Sequence, residues 1–490
     1  MIELTREDFL YQIPLLILAV SGVMLILLEA FTEGNRRDFL MSLSVAGCVG
    51  ALLSSIVLFR SIGDESIELF GGMLVADRLA YVLTGLFAGA TALSAMLTAD
   101  HQRTHRWEVG ELYGLMLIAT AGASLLSMAG SLVTIFLGVE MMSIAIYDFM
   151  AARRGSRPGT EAAMKYFLMG AFSSGFLAYG IALLYGATGT FDISSIAAFA
   201  AENPSDPLLV VGALVLVVAL AFKVGAVPFH MWAPDTYEGA PTPLSGFLAS
   251  VAKAAGFIAA VRIFAEAFGG DVMPFGRLGW ASVFAALAAI TMTVGNLAAL
   301  RQERIKRMLA YSSIAHAGTI LVGLVAVGVG AGDGAMAAVV YYLIAYSLTT
   351  IGAFGVVSWI GSRDKERLRI DDWSGLAVSH PLAALVMTVF LLSLGGIPPL
   401  AGFFGKFYVF SQAVSAYDQQ LLWLVVIAVL NSILSLFYYL RVVMAMYFRE
   451  PEGAFTPMRS PATVIALGLC AFFVVKMGVL PGGWMSIAGG

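Results

Sequence analysis

The feature that most limits what this chain can become is a succession of long apolar runs separated by short charged stretches. A run of about 20 apolar residues crosses the hydrocarbon core of a bilayer as a helix, and every backbone polar group is then satisfied within that helix. Read this way, the sequence holds about fourteen spans by the length rule. They centre on residues 12–31, 39–59, 77–98, 110–129, 131–151, 162–186, 208–228, 244–268, 279–300, 309–330, 335–360, 381–397 with a continuation to about 415, 420–446 and 461–481. Composition agrees. The 490 residues are 59% apolar and 12% charged, against about 25% charged in soluble proteins, and the mean hydropathy is +0.87. The expected class is an all-α integral membrane protein in the lipid bilayer. A net charge of −4 names no partner and gives no reason to expect nucleic acid. Cys48 and Cys470 lie far apart in apolar runs and read as buried small hydrophobes. The acidic start MIELTREDFLYQIPLL reads as the approach to the first span, not as a cleaved signal peptide.

Basic residues alternate from loop to loop. They gather at Arg36/Arg37, Arg103/Arg106, Arg153/Arg154/Arg157, Arg301/Arg304/Lys306/Arg307, Arg363/Lys365/Arg367/Arg369 and Arg449/Arg459, while the loops near 187–207, 331–334 and 416–419 have none. The positive-inside rule then puts both termini on the outer side of a cell membrane, with the proline-rich loop after the seventh span as an exception. KYFLMGAFSS (165–174) can be laid on YYLIAYSLTT (341–350), and GAVPF after Lys223 on GGIPP before Lys406. Helices four to eight and nine to thirteen then form two five-helix repeats. An odd number of spans per repeat makes them inverted, each with a broken helix. The domain reading is 1–109 for an N-terminal three-helix segment, 110–268 and 278–448 for the repeats, and 449–490 for a last loop and helix.

The two breaks carry the chemistry. Lys223 ends an apolar run, and Pro228, Pro234, Pro241 and Pro243 follow before a second run centred on Lys253. Proline removes a backbone donor and crowds the preceding turn, so the helix must break. Broken backbone at membrane depth survives only against protein or a water-filled cavity. GGIPPLAGFFGK makes the same break beside Lys406. Glu140, Lys223, Lys253 and Lys406 lie deep in spans, and Lys165 lies near the start of one. Lys253 is too far from either end of its span to reach an interface. One such lysine could be a static ion pair, but four deep charges, two beside breaks, point to proton handling. Burial and a nearby carboxylate push a lysine in opposite directions, so Glu140 can set the proton affinity of Lys223. His316 is a candidate neutral relay or a hydrogen-bonded core histidine. His230 orients water or satisfies the break. Asp235 and Glu238 read as loop pins, Asp371 and Asp372 as an interfacial pair with nearby arginines, and the glycines of VGVGAGDGA as a turn. Lys165 has a snorkelling alternative. No GxGxxG opens a helix after a strand, and there is no Walker sequence, cysteine framework or metal-ligand cluster. No cofactor and no metal are therefore expected on this chain, and redox chemistry is expected elsewhere.

KYFLMGAFSSGFLAYGIALLYGATGTFD, FKVGAVPFHMWAPDTYEGAPTPLSGFLASVAKAAGF, IKRMLAYSSIAHAG and GGIPPLAGFFGKFYVF resemble the antiporter-like membrane subunits of respiratory complex I. YEGAPTP and the FFGKF form with lysine favour the subunit N family of bacterial NADH:quinone oxidoreductase over subunits M and L. The resemblance covers essentially the whole chain. It implies a proton-translocating subunit, with Glu140 as the helix-five glutamate and Lys223 as its broken-helix partner. Lys253 matches the central helix-eight lysine, Lys406 the lysine of broken helix twelve, and Lys165 a helix-six lysine. It implies neighbouring antiporter-like and small subunits as partners, with NADH, FMN, iron–sulfur clusters and quinone on other subunits, in a bacterial inner membrane. A sodium/proton antiporter subunit is the alternative that shares two of the motifs.

Overall fold

The computed structural model describes residues 5–31, 37–107, 109–152, 156–270, 279–361, 366–416, 419–451, 455 and 460–489. Arg36, Arg153, Arg154, Arg363, Lys365 and Arg459, used above as loop markers, lie outside the described residues. Each apolar run is helical. In chain order the elements are α1 (Ile13–Glu29), α2 (Arg37–Ile62), α3 (Arg78–His105), α4 (Glu111–Ser127), α5 (Leu132–Met150), α6 (Arg157–Thr188) and α7 (Pro207–Val224). They continue as α8 (Thr242–Phe268), α9 (Trp280–Leu300), α10 (Ile305–Gly328), α11 (Asp333–Ile360), α12 (Pro381–Gly395), α13 (Ala401–Ser415), α14 (Leu422–Phe448) and α15 (Pro461–Val479). Among the described residues, eleven helices are long and apolar enough to cross a membrane, and α1, α4 and α12 are shorter apolar helices.

Local sequence sets the ends. Asp77, Ser131, Ser156 and Asp206 each accept a backbone N–H at the start of α3, α5, α6 and α7, satisfying a donor that has no partner inside the helix. Gly225 and Gly396 close α7 and α12 in the left-handed region, at φ +74 and +83. Both donate back to the last turn. Gly330 and Gly332 make the turn between α10 and α11.

The all-α membrane architecture holds, with local elements that the sequence reading did not name. Ile67–Leu69 pairs antiparallel with Leu74–Ala76 in a short hairpin. The basic-free loop near 187–207 holds an amphipathic helix, Ile193–Glu202. The acidic N-terminal stretch forms a separate short helix, Arg6–Leu10, closed by a capping box between Thr5 and Asp8. Trp232–Gly239 folds as a short helix inside the first break.

Burial sorts the helices. The apolar stretch of α8 is buried along its whole length and those of α10 and α11 nearly so, whereas α2, α6, α14 and α15 expose most of theirs. A helix apolar on all sides needs partners on all sides. The polar groups on α8, α10 and α11 therefore meet one another in the middle of the molecule. Cys48 and Cys470 are free and buried.

Candidate functional site

Lys223, Lys253 and Lys406 are 8%, 3% and 7% exposed, and each ammonium has built-in acceptors. On α7, Lys223 donates to Ser143 Oγ on α5 at 2.9 Å. Gly256, one turn along α8 from Lys253, lies so close to Lys223 that an added Cβ would stand 3.4 Å from the lysine Cβ. On α8, Lys253 donates to the Ser313 carbonyl of α10 at 2.6 Å and also to the Ser313 hydroxyl. Two π-helical turns interrupt α8, at Leu248–Ala252 and Val261–Ala265, and Lys253 follows the first directly. Such insertions rotate a side chain out of regular helical register.

The series continues through hydroxyls and one imidazole. Tyr346 on α11 donates to Ser313 Oγ at 2.8 Å, and its ring faces Lys253 Nζ at 5.8 Å. His316, one turn beyond Ser313 on α10, lies 5.1 Å from the Tyr346 ring. Its Nδ1 meets the Tyr342 hydroxyl at 2.7 Å and its Nε2 the Tyr439 hydroxyl at 3.1 Å. A neutral imidazole donates from one nitrogen and accepts at the other, so both contacts can be hydrogen bonds at once. His316 also lines a cavity of about 10 Å³ with Asn296, Thr319, Lys406, Asn431 and Tyr438, room for about one water. On the far side, Lys406 donates to the Leu394 and Gly395 carbonyls at 3.0 and 3.2 Å. These are among the last carbonyls of α12, which lack helical partners and carry the negative end of the helix dipole. The two break lysines thus bind differently. Lys223 sits before its break and binds a hydroxyl on another helix, whereas Lys406 sits after its break and binds the stub of its own.

Two sequence-predicted residues stand apart from this series. Glu140 is only half-buried and accepts from Ser174 on α6. It makes no ion pair with Lys223, although it is near enough to act on it electrostatically; Ser143, one turn along α5, is the direct partner. Lys165 is not deep. It is half-exposed and pairs with Glu161 at 2.7 Å and Asp235 at 2.8 Å. Asp235 and Glu238 also bind Arg307 at 2.8 and 2.9 Å, so they pin the break to α10. Burial alone would raise the Asp235 carboxyl; Lys165 and Arg307 outweigh it and lower it. His230 is half-buried and joins no part of the series. Asp371 pairs with Arg449 at 2.6 Å.

Sequence reasoning missed the tyrosines, because a tyrosine in an apolar run reads as core. It also missed a polar cluster. Lys306, grouped above with loop markers, is buried and donates to the Ala240 carbonyl at 2.6 Å. His101 and His105 at the end of α3 lie 2.7 and 4.0 Å from Glu366 Oε1. Two histidines and a carboxylate match a zinc donor set. The Trp107 indole, however, donates to His101 Nδ1 at 3.2 Å. The His101 proton therefore sits on Nε2, the atom that would have to bind the metal. Lys306 stands 3.8 Å from the other Glu366 oxygen. These hydrogen bonds and the Lys306 charge hold the cluster together.

Membrane-length apolar helices with buried lysines beside two helix breaks mark an antiporter-type membrane subunit. Residues 129–435 match the model of the NADH:quinone oxidoreductase/Mrp antiporter transmembrane family. The chain is 44% identical to NADH-quinone oxidoreductase subunit N 1 of Sorangium cellulosum (strain So ce56), over 97% of this chain and 96% of that one. A chain in the structure of respiratory complex I from Thermus thermophilus with bound aureothin superposes with TM-score 0.81 at 33% identity, covering 97% of this chain and 100% of that one. A chain of the Mrp complex from Dietzia sp. DQ12-45-1b superposes at TM-score 0.86 and 21% identity, covering 99% of this chain and 97% of that one, a likeness of fold alone. The chain belongs to the NADH-quinone oxidoreductase subunit N family.

Proposed function

We propose that this chain is a proton-translocating membrane subunit of a bacterial NADH:quinone oxidoreductase. It couples electron transfer from NADH to quinone, carried out on other subunits, to proton movement through its own core. The observation that carries the reading is the buried run from Lys253 through Ser313, Tyr346 and His316 to the cavity of Lys406. A lysine moves a proton when its charged and neutral forms are close in free energy. Burial supplies that condition by penalising the ammonium. Hydroxyls and a neutral imidazole conduct by taking a proton on one side and giving one on the other. Lys223 feeds Lys253, and Glu140 acts on Lys223 through space across Ser143. Lys165 takes part only through Asp235 at the rim. Flavin, iron–sulfur clusters, NADH and quinone belong to partner subunits, and neighbouring antiporter-like and small subunits cover the exposed apolar faces. The chain sits in the inner membrane with both termini periplasmic, and residues 110–268 and 278–448 are two inverted repeats.

The test is Lys223→Ala and Lys253→Ala in membranes that oxidise NADH. Normal assembly with depressed turnover and gradient supports the route; normal assembly with unchanged proton stoichiometry removes it. The fold shared with the Mrp complex keeps a sodium/proton antiporter as the second reading. A subunit whose deletion leaves NADH oxidation intact while abolishing sodium-resistant growth fits that reading instead.

A further inference from the structure

Glu366 gathers donors from separate parts of the chain. His101 Nε2 donates at 2.7 Å and Thr242 Oγ1 at 3.1 Å to one oxygen. Lys306 stands 3.8 Å from the other, and His105 4.0 Å from the first. Among the described residues, His101, His105, Thr242 and Lys306 meet Glu366 there. Burial alone would raise this carboxyl. Lys306 and the hydrogen-bonded His101 outweigh that and hold it well below the usual carboxylate range, so it stays charged.

The cluster stands at the common foot of two helices. Thr242 begins α8 and Lys306 lies in the first turn of α10. Ser313 lies seven residues beyond Lys306, about 10 Å up α10. Lys253 lies eleven residues beyond Thr242, about 16 Å up α8. A helical side chain points back toward its N-terminus, so Lys253 reaches down from its own level on α8. Its ammonium therefore arrives at the level of Ser313, where the structure shows it bonded. The match depends on the two feet being level, and Glu366 with Lys306 and Thr242 levels them. Tyr237, in the break just before Ala240, is fully buried, and its hydroxyl lies close to Ser313 and Tyr346. A shift of the break relative to α10 therefore also reaches the Lys253 site through Tyr237.

We propose that Glu366 is a positioning residue for Lys253: through Lys306 and Thr242 it fixes the register of α8 on α10 that sets the Lys253 ammonium on Ser313. The proposal rests on the proton-transfer reading of Lys253. A glutamine at 366 can still accept from His101 and Thr242, but it turns a donor toward Lys306 and leaves that ammonium without its carboxylate. Because misplacing a reacting group by about 1 Å can cost roughly a hundredfold, a small slip of register is enough to be measured.

The experiment uses the whole complex in native membranes and compares Glu366→Gln, Glu366→Asp, Thr242→Val and Lys253→Ala. Assembled-complex content, NADH:quinone turnover per assembled complex, protons moved per electron and the pH profile of turnover are read for each. The expected result for Glu366→Gln is roughly tenfold lower turnover per assembled complex with a displaced pH profile. Glu366→Asp restores part of it, and Thr242→Val gives a smaller change in the same direction. Unchanged turnover and profile per assembled complex in Glu366→Gln overturns the proposal, whatever the content. If Glu366→Gln does not assemble, Thr242→Val decides alone: a displaced profile supports the proposal and an unchanged one overturns it. A normal Lys253→Ala complex refutes the underlying reading instead, and is told apart by that variant.

Discussion

Replacing Gly396 by alanine tests the second break, and Gly225→Ala supplies a matched control at the first. Both glycines close a half-helix in the left-handed region, at φ +83 and +74. An alanine pays about 1–2 kcal/mol for that backbone at either place. The sites differ in what the new methyl meets. At Gly225 the nearest atom is Trp232 Cζ2 at 3.8 Å, an ordinary contact. At Gly396 the methyl stands 3.1 Å from Lys406 Cδ and 3.3 Å from Lys406 Nζ. The lysine must give by a few tenths of an ångström against the Leu394 and Gly395 carbonyls, which it now holds at 3.0 and 3.2 Å. Loosening hydrogen bonds from a charged group adds at most roughly 1.5–3 kcal/mol, for a ceiling of about 2.5–5 kcal/mol in all at Gly396. The assay is the thermal inactivation midpoint of the detergent-solubilised complex, with turnover per assembled complex beside it. Gly396→Ala should lower both clearly more than Gly225→Ala. Equal effects at the two glycines, or a wild-type Gly396→Ala complex, would refute the reasoning that Lys406 depends on this close approach.

Other substitutions follow from the same geometry. Arg262 on α8 is buried and binds Asp77 at 2.7 Å, Glu266 at 2.8 Å and the Ser127 carbonyl at 2.7 Å. Arg262→Leu strands two carboxylates and should cost about 3–5 kcal/mol, seen on native gels as loss of assembled complex; normal content contradicts it. Ser313→Ala removes the hydroxyl shared by Lys253 and Tyr346 but keeps the Ser313 carbonyl. Assembly should hold while turnover falls, and equal losses of content and turnover would argue for a merely structural serine. Glu366 and Asp235 both have carboxyls lowered in the folded chain. Their stabilisation is complete above the unfolded carboxylate value of about 4 and is lost as pH falls toward the folded values. The inactivation midpoint should therefore drop on acidification below about pH 4, and less steeply in Glu366→Gln. A wild-type midpoint that is flat on acidification contradicts this.

The helices and both breaks were legible because each rests on local sequence. Runs of apolar residues specify spans, and Pro228 or the Pro398/Pro399 pair specifies a break wherever it lies. Lys223, Lys253 and Lys406 were legible for a related reason, since a charge far from either end of an apolar run has few explanations. What they bind was not. Ser313, Tyr346 and Tyr439 are unremarkable within their own helices, and only the packing of α8, α10, α11 and α14 brings them together. Lys165 shows the same limit. Its distance from the start of α6 says nothing of Asp235, which the first break folds back beside it. Glu366, Lys306, His101 and Thr242 are hundreds of residues apart in some pairs, so no spacing rule finds them.

The central claim is that protons cross through Lys253. The most direct measurement is protons moved per electron, in membrane vesicles carrying Lys253→Met, at a content of assembled complex equal to that of the unaltered chain. Methionine keeps much of the side-chain length and removes the titrating group. The account predicts a lowered ratio together with lowered turnover. An unchanged ratio at unchanged turnover would contradict it and leave Lys253 as a buried charge that only holds α8 to α10.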